Sequence, residues 1–128
     1  MKLLLDTHII LWWISGQDSF SPRAKTLLLS SEHTLCVSLA SAWEVAVKVS
    51  IGKLPELNGG VKTFFAKVEE MPISLLAVEP HHIELVERLP FIRRDPFDRL
   101  LVATAKTDGM TILTADENIH RYDVPTVW

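Results

Sequence analysis

Short apolar runs of strand length alternate with helical segments along this chain of 128 residues. There are five such runs, at residues 2–5, 34–39, 73–78, 110–114 and 125–128. Strands that alternate with helices are typical of a parallel sheet with both faces covered by helices. The sequence therefore predicts an α/β fold, a three-layer α/β/α sandwich with a central parallel sheet. Because this length suits one domain, we expect residues 1–128 to form a single domain.

The segments between the apolar runs have helical patterns. They lie at residues 7–16, 21–31, 40–54, 60–70, 80–89 and 96–108. Residues 54–60 contain the main cluster of helix breakers and are predicted to be a loop. Trp12, Trp13 and Trp43 fall at helical spacing, so we expect these side chains to pack in the core.

Charge and cysteine content limit the function classes. A net charge of −3 argues against a broad basic surface for nucleic acid, although it allows a local basic rim. The single cysteine, Cys36, lies in an apolar run and is interpreted as a buried structural residue. No apolar run approaches the length of a membrane span. The N-terminal segment reaches Asp6 after three leucines, too early for a signal-peptide core, so we expect a cytoplasmic protein.

Four carboxylates are predicted to lie at the same edge of the sheet. Asp6 directly follows the first apolar run, and Asp116 follows residues 110–114 by two positions. Glu44 and Asp98 lie in the first turns of two predicted helices. The carboxyl ends of parallel strands and the starts of the following helices share one edge, where ligands bind. The four side chains can therefore converge.

The segment "DPFD" is also a good helix start. Asp95 suits the N-cap, Pro96 suits the first helical position, and Asp98 is favourable near the positive end of the helix dipole. On this segment alone, the helix-start explanation is favoured over a catalytic one.

The other three carboxylates have structural explanations as well. Glu44 can close a capping box with Ser41 or pair with Lys48 one turn on. Asp116 suits a turn. Asp6 is the hardest to explain structurally, because a carboxylate directly after a buried strand loses hydration unless something compensates it. For Asp6 we favour a functional role.

A cluster of carboxylates requires cations. Neighbouring carboxylates raise one another's pKa values, and oxygen-only clusters suit Mg²⁺ or Mn²⁺. Such ions activate water and stabilise the leaving oxygen in phosphodiester hydrolysis. Arg93, Arg94 and Arg99 lie beside Asp98 and suit phosphate binding, although a solvated helix face is an equal alternative. The five histidines have no spacing typical of a zinc site; His8 is close enough to Asp6 to line the same pocket.

Four segments resemble, in order, the signature segments of PIN-domain ribonucleases, and among these the VapC-type toxins of bacterial toxin–antitoxin pairs. The segments are "LLLDTHIILWW", "SLASAWEVAVKVSIGKL", "DPFDRLLVATA" and "ILTADENI". The resemblance runs from Lys2 to the C-terminus without a large gap. It implies a small α/β/α sandwich with a parallel sheet, in agreement with the alternation of strands and helices.

The resemblance also implies roles for individual residues. The catalytic, metal-binding acids of the family would be Asp6, Glu44, Asp98 and Asp116, and Thr7 and Thr114 match polar positions that support them. The family cleaves single-stranded or loop regions of RNA with Mg²⁺ or Mn²⁺. Its members usually form homodimers and are neutralised by a cognate antitoxin. Relatives often carry His at the position of Arg93, which leaves the role of this residue open.

The resulting hypothesis is a metal-dependent endoribonuclease that leaves a 5′-phosphate and a 3′-hydroxyl. One alternative is a non-catalytic interaction domain whose carboxylates are helix caps. The other is a phosphatase resembling haloacid dehalogenases, which also place Asp after the first strand. That class requires a second Asp two residues further on, where this chain has His8, so it is disfavoured.

Overall fold

The computed structural model describes residues 1–128 and contains five strands and seven helices. The strands are β1 (Lys2–Leu5), β2 (Thr34–Ser38), β3 (Ile73–Leu76), β4 (Thr111–Leu113) and β5 (Thr126–Val127). The helices are α1 (Thr7–Ser15), α2 (Pro22–Leu29), α3 (Leu39–Ser50), α4 (Gly60–Glu69), α5 (Pro80–Arg88), α6 (Pro96–Asp108) and α7 (Glu117–His120). None of these helices has the length and apolar character needed to cross a membrane.

All strand pairs are parallel, and the order in the sheet is β3-β2-β1-β4-β5. The chain moves outward from β1 to β2 and β3, then returns to place β4 on the other side of β1. In β1, Leu4 lies in register with Cys36 of β2 and Ile112 of β4. The sheet therefore reverses its winding between β1 and β4. Ligands in such sheets bind beyond the carboxyl ends of the strands at this reversal.

Two apolar clusters lie on opposite faces of the sheet. Alternate strand residues divide between them: Leu3 and Leu5 belong to one cluster, which α1, α2, α3 and α4 cover. Leu4 and Cys36 belong to the other, which α5, α6 and α7 cover. Because strand side chains alternate in direction, each short strand contributes to both clusters. The predicted three-layer α/β/α sandwich with a parallel sheet and the burial of Cys36 are confirmed.

The predicted elements are confirmed in type and order, with differences at their ends. Strand β1 has the predicted bounds, β2 ends one residue early because Leu39 begins α3, and β3, β4 and β5 are shorter than the predicted runs. Gly16 and Gly109 end α1 and α6 with φ angles of 74° and 66°, which glycine adopts without steric cost. The short helix α7 was not predicted, because the four residues Glu117–His120 are too few to give a periodic signal.

The expectation that Trp43 packs in the core is wrong. Its side chain is 59% exposed, whereas Trp12 and Trp13 pack partly buried against the core as expected. The inward positions of α3 are taken by Ala42 and Val45, and Trp43 lies one step round the helix from Ala42. Its ring meets Phe97 of α6 edge-on, with ring centroids 5.0 Å apart.

Candidate acidic site

Asp6 and Thr114 join the ends of the two central strands. The backbone N–H of Asp6 donates to the carbonyl oxygen of Leu113, at 3.1 Å, as β1 ends beside β4. The hydroxyl of Thr114 donates to Oδ2 of Asp6, at 2.8 Å, and its oxygen accepts from the N–H of Asp116, at 3.0 Å. Asp6 is only 3% exposed. The carboxylate therefore lies, fixed and buried, where the winding of the sheet reverses.

Glu44 reaches the same edge from α3. It is buried, and its Oε2 lies 2.9 Å from Nζ of Lys48, the pairing considered from the sequence. The alternative capping box with Ser41 does not form, because Ser38 caps α3 instead. The hydroxyl of Thr7 donates to Oγ of Ser41, at 2.9 Å, and ties the start of α1 to α3. Ser41 is a supporting residue that the sequence did not reveal, because serine is common near helix starts.

Asp98 is positioned by the predicted helix start. Oδ1 of Asp95 accepts from the N–H groups of Phe97, at 2.9 Å, and Asp98, at 3.3 Å. Pro96 occupies the first helical position. The capping roles of Asp95 and Pro96 are thus confirmed, and the same turn places Asp98, 8% exposed, near the other acids.

Three of the buried carboxylates repel one another. Burial, together with repulsion from Asp95, Asp6 and Glu44 and against the opposing charge of Arg93, raises the pKa of Asp98 to about 7. Burial also raises the pKa of Asp6, with a contribution from Glu44 and opposition from the hydrogen bond of Thr114. A cation placed among Asp6, Glu44 and Asp98 relieves this repulsion. Their donor atoms are oxygens only, which suits Mg²⁺ or Mn²⁺.

Asp116 has different neighbours from the other three acids. It caps α7: Oδ1 accepts from the N–H of Asn118, at 2.9 Å, and Oδ2 accepts from the guanidinium Nη1 of Arg93, at 2.6 Å. The same Nη1 lies 3.5 Å from Oδ2 of Asp98. Burial opposes ionisation of Asp116, but the bonds from Asn118 and Arg93 outweigh it and hold its pKa below the usual value. Arg93 therefore bridges Asp116 and Asp98.

The four carboxylates do not form a closed cage. No three of them bring their oxygens within 4.8 Å of one another. A cleft of about 210 Å³ lies between Asp6 and Asp116 and is also lined by His8 and Trp12. An open arrangement of this kind suits Mg²⁺, which keeps several water ligands when it is bound by proteins.

Arg99 does not lie with the acids, and this corrects its predicted role in phosphate binding. Its side chain is buried and donates to the carbonyl oxygens of Pro90, Val86 and Leu89, at 2.9, 2.9 and 3.4 Å. Its guanidinium carbon also lies 4.5 Å from the ring centroid of Phe91. Because these groups occupy the guanidinium, Arg99 holds the segment between α5 and α6 to the start of α6.

Arg94 lies on the surface beside Glu44 and Asp95. It lines a groove of about 370 Å³ together with Lys48, Lys53, Phe97 and the carboxylate-bearing Glu44. Arg94 and Lys53 are exposed. The sequence does not indicate that Lys53 belongs to this groove, because it lies far from Arg94 along the chain.

Histidines cluster at the opposite end of α6. Nε2 of His81 lies 2.9 Å from Oδ1 of Asp108, and Nε2 of His82 lies 2.8 Å from Oδ2. Nδ1 of His82 accepts from the N–H of Glu79, so Nε2 carries the hydrogen and donates to Asp108. These hydrogen bonds engage both oxygens of Asp108 and link α5 to α6. Ten residues of helix, about 15 Å, separate Asp108 from Asp98.

Known proteins resemble the chain over nearly its whole length. A family model described as PIN domain matches residues 3–125. Ribonuclease VapC22 from Mycobacterium tuberculosis is 28% identical over 130 residues, which cover 98% of each protein.

Two solved structures share the fold. VapBC2 from Rickettsia felis, bound to a DNA fragment from its promoter, has a TM-score of 0.74 at 18% identity, over 99% of this chain and 98% of that chain. A toxin–antitoxin complex from Klebsiella pneumoniae has a TM-score of 0.56 at 16% identity, over 98% and 96%. With the family model spanning residues 3–125, the fold and the acidic site lead to one assignment: the chain belongs to the PIN domain family.

Proposed function

We propose that this chain is a metal-dependent endoribonuclease and the toxin of a toxin–antitoxin pair. The observation that carries the proposal is the set of three buried, mutually repelling carboxylates, Asp6, Glu44 and Asp98, at the reversal of the sheet. Membership of the PIN domain family and similarity to a protein named as a ribonuclease support the same activity. The haloacid dehalogenase alternative receives no support from these relatives.

Asp6, Glu44 and Asp98 would hold a divalent ion, Mg²⁺ or Mn²⁺. When bound, such an ion lowers the pKa of water and neutralises charge on the phosphate. The protein holds the donor atoms in place in three ways. Thr114 fixes the carboxylate of Asp6, Lys48 fixes that of Glu44, and the capped start of α6 fixes Asp98. In-line attack of water on phosphorus, with cleavage of the bond to the 3′ oxygen and transfer of a proton from the water to that oxygen, would leave a 5′-phosphate and a 3′-hydroxyl.

The groove beside Glu44 suits a single RNA strand. Arg94 and Lys53 place two positive charges along it, and these suit backbone phosphates. The exposed ring of Trp43, supported edge-on by Phe97, provides an aromatic face for a base. Local basic side chains beside buried acids thus reconcile a net charge of −3 with an RNA substrate.

Two protein partners belong to this proposal. A cognate antitoxin would neutralise the toxin by covering the acidic site, and one structural neighbour is described as a toxin–antitoxin complex. A second copy of the chain would form a homodimer. Light scattering after size exclusion checks the dimer, and co-purification of the protein encoded by the neighbouring reading frame checks the antitoxin.

The activity is tested with purified protein and single-stranded RNA, with added Mg²⁺ or Mn²⁺ and with EDTA. We expect cleavage with metal, and none with EDTA or in the Asp6→Asn variant. The matched control is Asp123→Asn, since the side chain of Asp123 is fully exposed on the surface. Equal cleavage in all samples would contradict the proposal, and metal-free binding of RNA without cleavage would favour the interaction domain instead.

A further inference from the structure

Arg93 contacts two of the four site carboxylates. Its Nη1 lies 2.6 Å from Oδ2 of Asp116 and 3.5 Å from Oδ2 of Asp98. From the sequence, this arginine suits either phosphate binding or a solvated helix face, whereas in the structure its charge faces the acids. It therefore occupies the position between two carboxylates that a cation would take.

The backbone of Arg93 is anchored, so this contact is more than a chance meeting of two surface side chains. The N–H of Arg93 donates to the phenol oxygen of Tyr122, at 3.2 Å, and Tyr122 is buried. Asp116 is fixed as well, because its other oxygen accepts from the N–H of Asn118 as the cap of α7. Both partners of the ion pair are thus held by the fold.

The ion pair divides the acids into two groups. Asp6, Glu44 and Asp98 repel one another and lack an internal cation common to all three. Both oxygens of Asp116 are already engaged, one by a backbone N–H and one by Arg93. An ion between Asp98 and Asp116 would have to displace a guanidinium that stays charged at every accessible pH.

We propose that Arg93 is a built-in cation in place of a second divalent ion, so that the chain binds one ion, at Asp6, Glu44 and Asp98. The inference rests on the proposed function, because it concerns the metal stoichiometry of that site. Sites with two ions place them about 3.5–4 Å apart and need carboxylates to hold both. Here Arg93 neutralises the carboxylate that would hold the second ion, and Asp116 acts as its positioning partner.

The experiment counts Mn²⁺ ions bound per chain, by electron paramagnetic resonance and by calorimetric titration of purified protein. We expect one ion in the wild-type protein and two in Arg93→Gln, which frees Asp116. Loss of a permanent positive charge nearby also tightens the first site, by about tenfold. Arg93→Lys keeps a cation and is expected to bind one ion. The matched control is Arg94→Gln, which removes an exposed arginine and leaves the count at one.

Further variants separate this inference from the proposed function. Asp116→Asn is expected to keep one Mn²⁺ ion, bound more weakly than in wild type because the charge of Arg93 is no longer neutralised, whereas Asp98→Asn loses the ion. Two ions in the wild-type protein, or one ion in a folded Arg93→Gln protein, would overturn the role of Arg93. Absence of Mn²⁺ binding by the wild-type protein would overturn the metal site itself. Circular dichroism establishes that each variant is folded.

Discussion

The hydroxyl of Thr114 donates a 2.8 Å hydrogen bond to the carboxylate of Asp6, although the two residues lie 108 positions apart. Both side chains are buried, Thr114 completely. The bond forms because β1 and β4 are neighbours in the sheet and end at the same edge. It is one of the few contacts that favour the ionised form of Asp6, since burial raises the pKa of this carboxylate.

Replacement of Thr114 by valine keeps the shape and removes two hydrogen bonds, the one donated to Asp6 and the one accepted from the N–H of Asp116. The pKa of Asp6 should rise further, so that metal binds more weakly at a given pH. Loss of a group that orients a metal ligand typically costs about 10–100-fold in affinity or activity. We expect a loss in this range in RNA cleavage and in Mn²⁺ affinity.

The matched control is Thr111→Val, at the opposite end of β4 from the site. It should leave both quantities within about twofold of wild type. Comparable losses in the two variants would mean that RNA cleavage and Mn²⁺ affinity depend on the integrity of β4 and not on the hydrogen bond to Asp6.

The raised pKa of Asp98, about 7, predicts how stability depends on pH. The folded protein keeps this proton up to about pH 7, whereas an unfolded chain loses it near pH 4. The folded state thus binds more protons in this window, and this carboxyl makes the metal-free protein less stable as pH rises through it. Asp98→Asn should therefore unfold at a higher temperature than wild type at pH 8, by on the order of 5 °C, with little difference at pH 4.

Thermal unfolding in EDTA, followed by circular dichroism at several pH values, measures this difference. The control is Asp123→Asn, whose exposed side chain should leave the pH profile unchanged. If Asp98→Asn is no more stable than wild type at any pH, burial and repulsion of the Asp98 carboxylate do not destabilise the metal-free protein. In saturating Mn²⁺ the order should reverse, because the wild-type protein gains binding energy that the variant lacks.

The sequence predicts the architecture and the positions of the four acids for a definite physical reason. Strand length, helix starts and glycine stops are local signals, and parallel strands then bring their carboxyl ends together. The acids lie at strand ends and helix starts, so the order of the elements alone predicts the edge of the sheet at which they lie. Thr114 and Asp6 meet for the same reason, although nothing near either residue indicates the other.

What the sequence could not predict depends on side-chain direction. Arg93, Arg94 and Arg99 lie close together along the chain, yet one faces acids, one faces solvent and one is buried. Helix α6 begins at Pro96, so Arg99 lies on its inner side, whereas the other two precede the helix. The predicted burial of Trp43 is wrong for a related reason. Smaller residues occupy the buried face of α3, so Trp43 lies on its exposed face.

The buried position of Arg99 predicts a loss of stability on replacement. Arg99→Met keeps much of the side-chain length but removes the guanidinium that donates to the carbonyl oxygens of Val86, Leu89 and Pro90. Since a hydrogen bond from a charged donor contributes about 1.5–3 kcal/mol, we expect the free energy of unfolding to fall by about 2–4 kcal/mol. Urea unfolding measures this change. A loss below about 0.5 kcal/mol, as for an ordinary surface substitution, would contradict the structural role.

Arg94 should behave in the opposite way, because its side chain is exposed in the groove beside the acids. Arg94→Gln should leave the free energy of unfolding within about 0.5 kcal/mol of wild type. It removes one positive charge from the proposed RNA path, so RNA binding should weaken similarly for all sequences. The slope of log K against log salt should become shallower by about 0.7 for a single strand.

Filter binding in EDTA, at several salt concentrations, measures this slope without cleavage. The path proposed for RNA would be wrong if the slope stayed the same in both Arg94→Gln and Lys53→Gln, since these residues carry the exposed charges of the groove.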